Sequence, residues 1–230
     1  MVNPALTRLG EPKSARPSGT ARGRGLAAVA TFPTRDADGL LAAEATLAEA
    51  GVETLLIPVT VVAGEIALAE VERCVAAGAQ AALLRGVPTG ADLGHLAALL
   101  AVAEARAGCM EGATRIVAEV TTARGLLELR SLVGATPRLG GLSWDAEALR
   151  ENLGVTVLRD AEGRLLPPLA QARSLVLIAA AAAGVPAIDT SSADEGEVFR
   201  QECREALRDG FTAKLVTTME QLRIVREITG

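Results

Sequence analysis

The segment Arg115–Gly154, RIVAEVTTARGLLELRSLVGATPRLGGLSWDAEALRENLG, decides the fold class of this chain. Two apolar runs in it, Ile116–Val120 and Leu139–Trp144, predict strands, and each is followed by a helical pattern. Strand, helix, strand, helix is typical of a parallel sheet with crossover helices. Because chemistry in such folds lies at the carboxyl ends of the strands, we expect the functional site around Thr121 and in the loop 145–148.

The same alternation extends along the rest of the chain. The predicted strands are Leu26–Phe32, Val52–Ile57 (interrupted by Pro58), Ala81–Leu84, Ile116–Val120, Leu139–Trp144, Val185–Ile188 and Phe211–Val216. The predicted helices cover 39–50, 65–77, 92–107, 124–133, a short stretch after Asp145, 169–183, 194–209 and 219–228. Strand–helix units at this regular spacing predict an α/β fold that resembles a TIM (β/α)8 barrel.

A complete barrel needs one more strand than the sequence shows, so the first strand–helix unit is predicted to be incomplete. Three explanations remain open: residues 1–24 supply an irregular strand, the barrel is open there, or a neighbouring subunit covers the gap. An open doubly wound sheet is the alternative fold. We expect residues 1–24 to form a flexible basic arm, because they carry five basic residues and one acidic residue, and 25–230 to form a single TIM-barrel-like domain.

Composition excludes several classes of function. The net charge of −5 and an aromatic content of 2% argue against nucleic-acid binding, which uses basic surfaces and stacking rings. The apolar runs are too short for a membrane span, and the N-terminus lacks a signal-peptide core. Cys74, Cys109 and Cys203 have no metal-ligand spacing and indicate reduced thiols. We therefore expect a cytoplasmic protein with no nucleic-acid or membrane partner.

Carboxylates at strand ends are the main chemical candidates. The single histidine, His95, lies within a predicted helix, which argues against Ser–His, Cys–His and histidine-rich metal sites. Glu119 stands inside an apolar strand, where an unpaired carboxylate is costly, and Asp189 ends a later strand. Asp145 and Glu147 follow the strand that ends at Trp144. In a barrel these acids would approach one mouth, where carboxylates are able to hold Mg²⁺.

Structural roles are the alternative for the same side chains. Asp145 and Glu147 suit the first turn of the next helix, and Asp189 suits a hydrogen bond within a loop. Lys214, inside the last predicted strand, is expected to point to the barrel interior or mouth and to neutralise one of these acids, with a Schiff-base role as the alternative.

Five segments, in order, resemble the HpcH/HpaI aldolase and citrate lyase β-subunit-like family. They are AGAQAALLRGVPTGADL at 77–93, AEVTTARG at 118–125, LSWDAEALRENLG at 142–154, PLAQARSLVLIAAAAAGVPAIDTSSAD at 168–194 and GFTAKLVTTMEQLRIV at 210–225. The resemblance implies a metal-dependent TIM barrel that makes or cleaves carbon–carbon bonds in acyl-CoA esters or small oxo acids, usually as a trimer or hexamer. The family's first strand–helix unit and C-terminal lid have no counterpart in this match.

The resemblance also locates departures at the functional positions. The glutamate and the aspartate that hold Mg²⁺ in the family correspond to Thr121 and Ala148, and the arginine that binds the substrate carboxylate corresponds to Pro58. A hydroxyl and a methyl group are poor ligands for a hard cation. We therefore expect no metal-ligand set and weak or absent Mg²⁺ binding, with no sub-millimolar affinity for Mg²⁺ or Mn²⁺.

Two functions follow from this combination. One is a carbon–carbon lyase of the family, acting on an acyl-CoA ester or a small oxo acid. The other is a catalytically inactive member that serves as a partner subunit or binds a ligand. In both, we expect a homo-oligomer or a hetero-oligomer with a related subunit. The candidate catalytic residues are Glu119, Glu147, Asp189 and Lys214, and the candidate substrate-binding residues are Arg124 and Gln221.

Overall fold

The computed structural model describes residues 27–31, 55–62, 64–86 and 89–229. Its strands are β1 (Ala27–Thr31), β2 (Leu55–Val62), β3 (Glu65–Ile66), β4 (Ala81–Arg85), β5 (Arg115–Val120), β6 (Leu139–Trp144), β7 (Ala187–Asp189) and β8 (Ala213–Val216). Its helices are α1 (Leu68–Ala76), α2 (Gly90–Ala107), α3 (Ala123–Leu127), α4 (Leu129–Leu132), α5 (Ala146–Asn152), α6 (Pro167–Ala183), α7 (Gly196–Asp209) and α8 (Met219–Thr229). The predicted TIM-barrel-like α/β class is confirmed. The predicted arm, 1–24, and the predicted helix 39–50 lie outside the described residues.

The parallel strands form one curved sheet in the order β1-β8-β7-β6-β5-β4-β2, and β1 also pairs with β2. The closing contacts join Ala30 to Leu55 on one side of β1 and Ala27 to Ala213 on the other. The sheet therefore closes on itself with seven parallel strands among the described residues. The alternative of an open doubly wound sheet is wrong, because both neighbours of β1 are hydrogen-bonded to it.

The second strand runs through Pro58 instead of ending before it, which corrects the predicted end at Ile57. Within the described ranges, pairing between β1 and β2 ends at Leu56, and the strand partner of Pro58 is Leu83 of β4. Thr60, which faces the same way two residues later, donates its amide to the Glu70 carboxylate. The missing N–H of proline therefore lies on the edge of β2 where, past Leu56 among the described residues, no backbone ladder hydrogen bond is formed.

Two predicted helices also differ in detail. The helix predicted over 124–133 divides into α3 and α4 at Glu128, whose carbonyl accepts a hydrogen bond of 2.7 Å from Ser131 Oγ. Such local side-chain bonds compete with continuous helix. The helix predicted from Glu65 begins at Leu68, because β3 first turns back onto β2 through Gly64 at a φ of 82°.

The barrel has an aliphatic interior and a second, larger apolar layer between the sheet and the helices. The interior cluster comprises Leu56, Ala81, Leu83, Val117, Ile188, Ala213 and Leu215. The outer layer includes Leu142, Trp144, Val176 and Phe199, all fully buried. Because side chains alternate along a strand, a residue's position in β4 to β8 decides whether it faces the barrel interior or the helices. No helix in the described part of the chain is long and apolar enough to cross a membrane.

Candidate active site at the barrel mouth

Three charged side chains from neighbouring strand ends meet at the mouth of the barrel. Arg85 ends β4, Glu119 lies in β5, and Asp145 follows β6. Arg85 Nε lies 2.6 Å from Glu119 Oε2, and Arg85 Nη2 donates a hydrogen bond of 2.5 Å to Asp145 Oδ2. We call these three residues the mouth cluster. It joins one guanidinium to two carboxylates at the edge where chemistry in barrels is located.

Strand register brings the cluster together. Leu83 and Val117 are paired in register and both belong to the interior cluster, so Arg85 and Glu119, each two residues later, also face inward. Asp145 has a second role, because its Oδ1 accepts a hydrogen bond of 3.0 Å from the amide of Ala148 and caps α5. The predicted helix-capping role of Asp145 is therefore confirmed, and its other oxygen remains for Arg85.

Burial sets the protonation behaviour of Glu119. The residue is 3% exposed, and removal from water raises the pKa of its carboxyl to about 7. Arg85 opposes this rise, and the neighbouring charge of Asp145 adds to it. A carboxyl that titrates near neutral pH is suited to both accepting and donating a proton.

Two buried oxygens near this cluster lack a directed hydrogen bond. Glu119 Oε2 is close to Arg85, but the N–H does not point at it, so the contact is an ion pair without a hydrogen bond. Ser143, which pairs in register with Glu119, is fully buried, and its Oγ has no partner among the described residues. The hydroxyl of Thr121, by contrast, already donates a hydrogen bond to the carbonyl of Gly86.

Beside the mouth, a cavity of about 480 Å³ lies between the strand ends and the helical layer. We call it the side cavity. Its charged lining comprises Asp145, Glu147, Arg159, Arg173, Asp189, Asp194, Glu202, Glu205 and Lys214. Asp145 thus belongs to the mouth cluster and also lines the side cavity.

Asp189 and Lys214 line the side cavity and do not face the barrel interior. Lys214 Nζ lies 3.6 Å from Asp189 Oδ2 and 3.4 Å from Glu202 Oε2. Asp189 also accepts from Trp144 Nε1 at 2.8 Å and from Arg173 Nε at 3.2 Å. Burial by itself raises the pKa of Asp189, but Lys214 and Arg173 together hold it below its ordinary value.

The expectation that Glu119, Asp145, Glu147 and Asp189 approach one mouth is therefore wrong for Glu147 and Asp189. Lys214 does pair with one of these acids, Asp189. Asp189 and Lys214 occupy strand positions that alternate with the inward-facing Ile188 and Ala213, so they point towards the helices. Glu147 is an exposed residue of α5 whose carboxylate pairs with Arg150 at 2.6 Å. Of these expected residues, Glu119 and Asp145 belong to the mouth cluster.

The two candidate substrate-binding residues are also separated. Arg124 is an exposed residue of the short helix α3. Gln221 is 1% exposed, and its Nε2 donates to the carbonyls of Ser192 and Asp194 at 2.8 and 2.9 Å. Its Oε1 accepts from the amide of Thr217. Gln221 therefore ties the loop after β7 to the start of α8 with its hydrogen-bonding capacity already used.

Comparison with known proteins identifies the family. The family model HpcH/HpaI aldolase/citrate lyase matches residues 34–218, which is most of the chain. The chain belongs to this family. A citrate lyase subunit beta-like protein from Mycobacterium tuberculosis is 32% identical over 154 residues, which cover 66% of this chain and 56% of the relative. The citrate lyase subunit beta of Leuconostoc mesenteroides subsp. cremoris is 27% identical over 161 residues, 69% of this chain and 52% of that protein.

The chain thus spans about half the length of the curated relatives it matches. Solved structures of HpcH/HpaI-type proteins share its fold. The CitE protein of Mycobacterium tuberculosis in complex with magnesium and pyruvate has a TM-score of 0.70 at 20% identity, covering 90% of this chain and 91% of that one. The same protein with magnesium, acetoacetate and coenzyme A has a TM-score of 0.67 and covers 90% and 82%.

The residues at the metal positions of the HpcH/HpaI family do not fit Mg²⁺ in this chain. Thr121 is hydrogen-bonded to Gly86, and Ala148 offers only a methyl group. No group of three potential metal ligands occurs among the described residues. Arg85 already pairs with both nearby carboxylates. Its guanidinium would repel a divalent ion about 4 Å away by roughly 8 kcal/mol at an effective dielectric constant of about 20, which cancels the attraction of one carboxylate at the same distance.

Sequence reasoning missed two residues of this site. Arg85 had a signal, since it is a charged residue directly after the apolar run Ala81–Leu84, in line with the inward-facing Leu83. Ser143 also had one, since it lies two residues after Gly141 on the inward face of β6. Neither sequence feature identifies the side chain that the residue contacts, because the contacting residues come from other strands.

Proposed function

We propose that this chain is a carbon–carbon lyase that acts at the barrel mouth on a small oxo acid or an acyl-CoA ester. The observation that supports this most strongly is Glu119, a buried carboxyl at a strand end with a pKa of about 7 beside a guanidinium. Membership of the HpcH/HpaI aldolase/citrate lyase family supports the class of reaction.

The reaction requires one group that accepts a proton from the substrate hydroxyl and later donates it to the α-carbon. In a β-hydroxy carbonyl substrate, Glu119 accepts the proton of the hydroxyl group, and that carbon becomes a carbonyl as its bond to the α-carbon breaks. The electron pair moves onto the substrate's own carbonyl oxygen, forming an enolate. Glu119 then returns the proton to the α-carbon, which completes the second product and regenerates the enzyme. Protonation near neutral pH allows one residue to perform both transfers.

The relatives suggest what accompanies this activity. The CitE structure with coenzyme A and acetoacetate supports a CoA ester as one substrate class, and the name citrate lyase subunit beta supports assembly with other subunits. For this chain we propose a small-molecule or CoA-ester substrate and a homo-oligomeric or hetero-oligomeric state. Magnesium, which accompanies CitE in several structures, has no step in the reaction proposed here.

The first test is a cleavage assay on the purified chain. Panels of 4-hydroxy-2-oxo acids and of 3-hydroxyacyl-CoA esters are incubated with protein, and the carbonyl product is trapped as a hydrazone. We expect cleavage of at least one class and a loss of at least 100-fold in kcat for Glu119→Gln, which cannot carry the proton. Glu151→Gln, an exposed change on α5, is the matched control and retains full activity.

The second candidate is a member that binds a ligand or a partner subunit without turnover. The replacement of both metal carboxylates by Thr121 and Ala148 favours it. It predicts no cleavage of either panel, together with saturable binding of an intact oxo acid or CoA ester. Absence of turnover in a folded protein, with or without added Mg²⁺, would replace the lyase proposal with this one.

A further inference from the structure

The guanidinium of Arg85 is fixed from two sides. Its Nε lies 2.6 Å from Glu119 Oε2 in an ion pair, and its Nη2 donates a hydrogen bond of 2.5 Å to Asp145 Oδ2. The two acids lie on neighbouring strand ends, so the planar group bridges β5 and β6 from β4. Two anchoring points hold orientation as well as position, which a single ion pair does not.

The same guanidinium remains accessible from the mouth. The Arg85 side chain is 40% exposed, whereas Glu119 is 4% exposed and Asp145 15%. Its third nitrogen, Nη1, has no hydrogen-bond partner within the described ranges. The positive group therefore lies on the solvent side of its two anchors, with N–H bonds left for a ligand.

The hydroxyl of Ser143, on the neighbouring strand β6, is also unused within the described part of the chain. Ser143 is fully buried, pairs in register with Glu119, and has an Oγ without a partner among the described residues. A buried polar atom without a partner is unusual in a native structure, and a ligand that hydrogen-bonds to this hydroxyl would satisfy it. Ser143 and Arg85 thus lie on the two strands that flank Glu119, and each offers a hydrogen-bond donor.

We propose that Arg85, held between Glu119 and Asp145, takes the place of the divalent ion in this site, so that the mouth binds a small oxo acid through its carboxylate or carbonyl oxygen without metal. The substrate class rests on the proposed lyase function. The replacement of the ion by an arginine rests on the mouth cluster alone. In turnover the fixed guanidinium stabilises the enolate oxygen, because its orientation needs no rearrangement as charge develops.

The test measures pyruvate binding to the whole protein by isothermal titration calorimetry. Pyruvate is titrated into the protein in excess EDTA and again with Mg²⁺. We expect the same affinity under both conditions, within a factor of two. Binding that appears only with Mg²⁺, or a rise of tenfold or more on adding it, would overturn the proposal.

Two substitutions test the role of Arg85 directly. Arg85→Met leaves Glu119 and Asp145 without their cation, so we expect at least tenfold weaker pyruvate binding and at least tenfold tighter binding of Mn²⁺, followed by its electron paramagnetic resonance signal. Arg85→Lys is the matched control, because it keeps the charge, and its Mn²⁺ binding stays at the wild-type level. Equal Mn²⁺ binding by the Met and Lys variants would contradict the proposal. If Arg85→Met does not fold, the wild-type titrations with pyruvate and Mn²⁺ still decide.

These outcomes separate the inference from the lyase function. Metal-independent pyruvate binding without turnover of any substrate upholds the arginine site and removes the lyase proposal. Turnover that requires Mg²⁺ upholds the lyase proposal and removes the arginine site. Turnover that persists in EDTA supports both.

Discussion

At the scale of the residue, Glu119 shows how burial and neighbouring charge oppose each other. Burial favours the neutral carboxyl, and Arg85 favours the charged one. The balance leaves a pKa of about 7, well above that of an exposed glutamate. Asp189 has the opposite outcome, because two cations and the Trp144 indole N–H stabilise its charge and lower its pKa. Equal burial therefore gives opposite protonation behaviour, depending on how many cations contact the group.

The raised pKa of Glu119 has a consequence for stability. Since the folded state binds this proton more tightly than the unfolded chain, Glu119 stabilises the fold most below about pH 4.5, and this contribution is lost as pH rises through about 7. We expect the free energy of unfolding of the wild type, relative to Glu119→Gln, to fall by about 3 kcal/mol between pH 4.5 and 8.

Urea denaturation of both proteins at several pH values measures this difference. Comparison with the glutamine variant cancels the contributions of other groups, including Asp189, whose stabilisation is lost at the acid end. A difference that stays constant, or that rises with pH, would show that Glu119 is ionised throughout.

At the scale of the element, the start of α2 packs on α4 closely enough to require glycine. The amide of Gly90 donates a hydrogen bond of 2.9 Å to Ser131 Oγ, and a Cβ added at Gly90 would overlap the backbone carbonyl of Ser131. A backbone atom is not able to move aside as a side chain does. The contact therefore restricts the residue to glycine and fixes where α2 begins.

Gly90→Ala and Gly94→Ala form a matched pair on the same helix. We expect Gly90→Ala to destabilise the protein by about 2 kcal/mol through overpacking against α4. Gly94 is exposed with nothing near its Cβ position, so Gly94→Ala stabilises by about 0.5–1 kcal/mol through helix propensity. Chemical denaturation measures both, and equal stability of the two variants would contradict the close contact.

At the scale of the whole molecule, α6 has an uncovered apolar face. Leu175 is 37% exposed and Ile178 64%, and the helix α3 that contacts α6 presents Leu127 at 86%. Exposed apolar side chains that lie close together on a surface often mark a site of protein–protein contact. This face supports the prediction that the chain assembles into an oligomer.

Light scattering of the purified protein tests this. We expect a mass of at least two chains, and a shift towards the monomer for Ile178→Glu, which places a charge on the apolar face. Val102→Glu, on the exposed side of α2, is the matched control and leaves the mass unchanged. A wild-type protein that is stable and strictly monomeric would refute the prediction.

The strand–helix order was predictable because it depends on local patterns. Apolar runs, capping residues and terminal glycines report on neighbours within a few positions. Pro58 is informative as an exception, because its place in β2 depends on where β1 stops pairing. In the same way, the sequence located Glu119 as an acid in need of a partner but did not identify Arg85, which is 34 positions away.

The amino-acid sequence by itself determined the parallel α/β class and the family to which the chain belongs, and it predicted the loss of the metal carboxylates at Thr121 and Ala148. Only the tertiary structure decided that Arg85 joins Glu119 and Asp145, and that Asp189 and Lys214 face the helices. The reason is that each of these outcomes depends on strand register. A shift of one residue exchanges the inward and outward faces of a strand, and register is set by the packing of the whole barrel.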